Sequence, residues 1–129
     1  MRELKKRIAI VSAIAVVVLV MACGGGGSKV SISDQDHKEA DAMFLNRCAA
    51  CHGTNGEGNG PAAAALNPKP RNYHDMAWQT STTDEEIEKA IVYGGAAVGK
   101  SPQMAPNPDL QSKPGVVAAL REKVRSFGK

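Results

Sequence analysis

The sequence predicts an all-α domain on three observations: two capped segments with helical spacing of apolar residues, a C-terminal run with the same period, and no stretch that sustains strand alternation. Asp34 to Arg47 reads as the first helix. Ser33 or Asp34 can cap it, acidic residues crowd its first turn, and Ala40, Phe44 and Cys48 fall on one face. Gly53, Gly56, Gly58 and Gly60 then follow at intervals that neither a helix nor a central strand accommodates, so a loop is expected. Pro61 to Leu66 is expected as a short helical turn, and Asn67-Pro68-Lys69-Pro70 as extended or turning chain. Thr83 to Tyr93 is the second helix, with Thr83 and Glu86 as a capping box, Ile87, Ala90 and Ile91 as its apolar face, and Gly94-Gly95 as its end. Pro114 to Phe127 is the third, with Val116, Val117, Leu120, Val124 and Phe127 inward.

Residues 1–22 stand apart from this domain. Arg2, Lys5, Lys6 and Arg7 precede the almost wholly apolar run Ile8 to Met21, the layout of an export signal. That apolar core is shorter than the ~20 residues a spanning helix needs, which puts an uncleaved anchor in second place. Val20-Met21-Ala22-Cys23 resembles the bacterial lipobox, in which the cysteine is lipidated and becomes the mature N-terminus. An odd cysteine in an exported protein calls for an explanation, and lipidation of Cys23 supplies one; a stray thiol beyond an ordinary cleavage site is the other reading. Gly24 to Ser28 is a flexible linker by composition. The expected organisation is therefore a signal over 1–22, a lipidated cysteine and Gly/Ser-rich linker over 23–33, and a folded domain over 34–129. The expected location is the periplasmic side, anchored by lipid to the cell membrane or the outer membrane. Gly24 after the cysteine, rather than Asp, gives no inner-membrane retention signal by the rule of enteric bacteria.

The formal charge of +3 resides in the signal. Without residues 1–22 the chain has 12 basic and 12 acidic side chains, and no basic run survives to bind nucleic acid. Only five aromatic residues are present, so the domain is short of large core side chains, and a buried prosthetic group would supply the missing apolar bulk.

The chemistry is concentrated in Cys48-Ala49-Ala50-Cys51-His52. Two cysteines three positions apart, followed at once by histidine, are what covalent attachment of one c-type haem requires. Each thiol can add to one porphyrin vinyl group, and the adjacent imidazole can reach the iron from the same side. A thioredoxin-type pair would need a βαβ context, which is absent here. A zinc site would need two further ligands at finger-like spacing, and the only cysteine left is Cys23.

Three helices, this motif near the end of the first, and a later methionine in a Pro-rich loop resemble the class I cytochromes c. Cys48-Ala-Ala-Cys-His-Gly-Thr-Asn-Gly-Glu-Gly-Asn-Gly-Pro-Ala-Ala is similar to the small bacterial mono-haem members in particular. The resemblance implies a cytochrome c-like fold of three main helices around one covalent haem. Cys48 and Cys51 would be the thioether attachments and His52 the proximal ligand. It also implies that the carbonyl of Pro61, in Gly60-Pro61, accepts the N–H of the ligating imidazole, a bond that fixes the ring and raises its basicity. Phe44 and Phe127 would meet where the first and last helices cross. Arg71, Asn72, Tyr73 and Trp78 fall in the stretch that covers the propionate edge in relatives, where a buried propionate needs donors.

For the sixth ligand the downstream candidates are Met76, Met104 and His74. Ser101-Pro102-Gln103-Met104-Ala105-Pro106-Asn107-Pro108 has the family-like context, a sulfur in an irregular loop before the final helix, with prolines limiting backbone freedom. Ala105 stands where the family often has proline. Met104 is the expected ligand, with Met76 packed against the haem edge. Gly94 to Ser101 also matches the phosphate-binding pattern GxxxxGK[ST], but that mechanism requires a strand before the loop, and here a helix precedes it. No nucleotide partner is expected.

With both axial positions filled the iron binds no substrate, and the expected function is one-electron transfer at a potential raised by Met/His ligation. The expected partners are a redox-protein reductase upstream and an oxidase or other acceptor downstream. Two other readings stand: an enzyme or gas sensor with an open sixth position, and a cytochrome subunit of a larger respiratory complex.

Overall fold

The computed structural model describes residues 30–129; residues 1–22, expected as an export signal, Cys23 and the glycine linker lie outside the described residues. All regular structure among the described residues is helical. The first helix, α1 (Asp34–Met43), starts at a capping box in which Ser33 accepts from the Asp36 amide while the Asp36 carboxylate accepts from the Ser33 amide. It does not stop at Arg47. The chain widens into one π-helical stretch, Phe44–Cys48, and tightens again into α2 (Ala49–His52), so that the haem-attachment motif lies on continuous helix. Inserted π turns of this kind often mark functional sites.

A second departure from the sequence reading is α3 (Met76–Ser81), which the spacing of apolar residues did not reveal because none of its residues is buried. Its signal is a cap: the Asp75 side chain accepts from the Trp78 amide. α4 (Asp84–Tyr93) has the expected Thr83–Glu86 capping box and ends at Gly94. α5 (Pro114–Ser126) begins with proline, whose fixed φ suits the first turn. Between them lie short 3-10 turns at Ala63–Ala65, Gly95–Val98 and Pro108–Ser112.

α5 is the pillar, packed against α1 on one side and α4 on the other. Phe44, Leu110, Val116 and Leu120 are its most completely buried neighbours and members. Phe44 and Phe127 meet at a ring-centroid distance of 5.5 Å, the predicted crossing of the first and last helices. Salt bridges from α5 reach both partners. Lys123 pairs with Asp41 of α1 at 2.9 Å, and Arg121 with Asp84 and Glu88 of α4 at 2.9 and 3.0 Å.

Candidate haem site

Hydrogen bonds fold the glycine loop back onto the attachment motif. Gly58 donates to the His52 carbonyl at 2.8 Å, Gly60 to that of Cys51 at 3.1 Å, and Ala62 to that of Ala50 at 2.9 Å. These carbonyls end α2 and have no partner within it, so the loop caps the helix that bears the ligands. Cys48 and Cys51 are both free thiols at intermediate exposure. Burial pushes the Cys48 thiol up. His52 is buried, and desolvation lowers its pKa while a backbone hydrogen bond partly restores it. Neutral imidazole is the form that binds metal.

His52 Nδ1 lies 3.1 Å from the carbonyl oxygen of Arg71, where the resemblance implies that of Pro61 for an iron-bound imidazole. The reason is the path of the loop. Gly60 and Ala62 are drawn onto the α2 backbone, and Pro61 between them is exposed. The chain then returns by a bond from the Tyr73 amide to the Gly56 carbonyl at 2.8 Å, which brings residues 71–73 beside the imidazole. Sequence reasoning singled out the Arg71 side chain and missed its carbonyl, since a backbone acceptor leaves no mark on residue type.

Tyr73 is buried and stacks on His52, with centroids 4.6 Å apart and planes 11° from parallel. Burial drives its phenol well above the usual range. Trp78 packs against Tyr73 at 5.5 Å, and the Arg71 guanidinium lies 5.7 Å over the indole while pairing with Asp75 at 3.2 Å. Arg71, Tyr73 and Trp78 thus form one cluster, in which Tyr73 packs on the histidine and Arg71 and Trp78 lie further out.

Of the three candidates for the sixth position, two have other surroundings. Met76 lies at the start of α3 and is 56% exposed, its side chain open to solvent or to a bound haem. His74 Nε2 lies 2.8 Å from the Asn55 carbonyl. Met104 sits at intermediate exposure in a loop fastened along its length. Gly95 donates to the Met104 carbonyl at 3.0 Å, and the Met104 amide donates to Ser101 at 3.2 Å. Asn107 closes the far end: its amide donates to the Val92 carbonyl at 2.9 Å and its side chain to that of Ile91 at 2.8 Å. Arg47, the residue before Cys48, reaches across to Asp109 at 3.0 Å and Asn107 at 3.3 Å, linking the attachment helix to the methionine loop. Its guanidinium holds the Asp109 carboxyl below the usual range.

The glycines that resembled a phosphate loop serve this packing. The segment follows α4 and forms a 3-10 turn. A methyl group on Gly95 would overlap the Ser101 carbonyl oxygen and come within 3.2 Å of the Met104 Cβ. A shallow surface cleft lies between Asn67-Pro68 and Gly99 to Gln103, and Cys48, Cys51, His52 and Met104 are not among its lining residues.

Two free thiols and an adjoining buried imidazole form a donor set that fits covalent haem c. The Cytochrome c family model matches residues 37–120, from the first turn of α1 into α5. No match was found among curated proteins. With the family match spanning both the attachment motif and the methionine loop, the chain belongs to the cytochrome c family and is a haem c electron-transfer protein.

Proposed function

We propose that the chain is an exported, lipid-anchored, six-coordinate electron carrier, with haem attached through Cys48 and Cys51 and its iron held between His52 and Met104. The observation that carries this reading is the fastening of the methionine loop, from Gly95–Met104 at one end to Asn107 on the Ile91 and Val92 carbonyls at the other. A neutral thioether is a weak donor, and a loop fixed at both ends keeps it in place in either oxidation state. When bound, the haem supplies a one-electron iron couple at a potential that methionine ligation raises.

The protein's own groups do the rest. His52 is kept neutral by burial, and its ring is oriented by the Arg71 carbonyl and the Tyr73 face. Arg71 and Trp78 would be the donors for a haem propionate, a guanidinium and an indole N–H being suited to a carboxylate. Redox proteins on the outer side of the membrane deliver and remove the electron.

Redox titration of the haem-loaded chain is expected to be reversible with one electron per protein, and the ferrous form is expected to leave CO unbound. Ready CO binding would replace the carrier with an open-site enzyme or sensor. Tethering rests on Val20-Met21-Ala22-Cys23. In a bacterial host fed labelled palmitate, the wild-type protein should take up the label and Cys23→Ser should not; a wild type without label would refute the lipid anchor.

A further inference from the structure

His52 and Met104 stand on separate segments, one on α2 and the other in the loop after the Gly95–Val98 turn. Arg47 is the side chain that spans them. It lies in the π-helical stretch that runs into α2, one residue before Cys48. Its Nη1 donates to the two Asp109 carboxylate oxygens at 3.0 and 3.1 Å and to Asn107 Oδ1 at 3.3 Å. Among the described residues no other hydrogen bond joins residues 44–52 to residues 101–112.

What Arg47 grips is stiff on its far side. Asn107 directs its amide to the Val92 carbonyl and its Nδ2 to that of Ile91, which leaves Oδ1 for Arg47. Leu110, next to Asp109, is 1% exposed and anchors the turn in the core. Pro106 and Pro108 limit the backbone on either side of Asn107. A pull at Asn107 is therefore felt three residues back, at Met104. The ion pair itself is half-exposed, so dissolved salt reaches and screens it.

We propose that Arg47 is a positioning residue for the methionine loop: paired with Asp109 and Asn107, it latches the loop to the attachment helix and holds Met104 against competing ligands. The proposal rests on Met104 being the sixth iron ligand. Displacing Met104 moves the loop and breaks the pair. Removing the pair, or screening it with salt, therefore makes Met104 easier to displace.

The test is imidazole binding to the ferric, haem-loaded protein, followed optically at low and high salt. Arg47→Met keeps the apolar stem and removes the guanidinium. Asp109→Ala removes the pair from the other side and serves where the first variant fails to fold. Asp41→Asn is the control, because its exposed partner Lys123 belongs to α5 and not to the loop. Arg47→Met and Asp109→Ala should each bind imidazole about two- to fivefold more tightly than wild type at low salt, the reach of a half-exposed ion pair. The double variant should match Arg47→Met, since both changes remove one interaction. Arg47→Lys should fall between Arg47→Met and wild type, and Asp41→Asn should match wild type. High salt should tighten binding in the wild type and leave Arg47→Met unchanged. Unaltered imidazole affinity in both Arg47→Met and Asp109→Ala, whatever their melting temperatures, would overturn the proposal. An equal salt response in Arg47→Met and wild type would do the same. Failure of the underlying reading shows separately, as Met104→Ala binding imidazole no more tightly than wild type, and overturns the proposal with it.

Discussion

Gly60→Ala is expected to destabilise the domain by about 3 kcal/mol, the upper end of overpacking costs, and to lower its melting temperature by roughly 10–20 °C. The argument is steric. A methyl group at Gly60 would overlap the Ala49 and Ala50 carbonyl oxygens and lie 2.6 Å from the Ala50 carbonyl carbon. All three atoms are backbone, and they belong to the helix that bears the haem-attachment residues. No rotamer change relieves the overlap. The loop must lift, and with it go the Gly60–Cys51 and Ala62–Ala50 bonds that cap α2. Thermal unfolding of the haem-loaded variant, followed by circular dichroism, checks this. A melting temperature within about 2 °C of wild type, well under the shift a 1 kcal/mol change gives, would show that the loop does not press on α2.

Phe44→Ala should cost about 3–5 kcal/mol, the usual range for deleting a fully buried aromatic ring. Phe44 is 1% exposed, packs on Phe127 at 5.5 Å, and opens the π-helical stretch that ends at Cys48. The cavity therefore lies directly beneath the haem-attachment segment, where α1 crosses the end of α5. Phe127→Ala should cost less, because Phe127 is only partly buried. Denaturant unfolding of the two variants checks the order; equal costs, or a Phe44→Ala cost below 1 kcal/mol, would contradict the packing described.

Both residues show what the sequence made legible. Phe44 and Phe127 could be paired from helical period and family likeness, and the Thr83–Glu86 box marked α4 by local hydrogen-bond chemistry alone. Local rules of that kind survive folding because their partners are three or four residues apart. The features that were missed depend on distant partners or on backbone atoms. α3 buries no residue and so leaves no apolar period, although Asp75 at its start is a cap that could have been read. The Arg71 carbonyl at His52 is invisible to residue type. Gly94-Gly95 was correctly read as a helix end, but its packing against Ser101 and Met104 depends on where the next loop returns.

The central claim is that Met104 completes the iron coordination opposite His52. The most direct measurement is the far-red optical spectrum of the ferric, haem-loaded protein beside that of Met104→Ala. An iron–sulfur charge-transfer band in the wild type, abolished in Met104→Ala while the covalent haem content stays the same, is the predicted result. A band that persists in Met104→Ala, or one absent from the wild type, would contradict it.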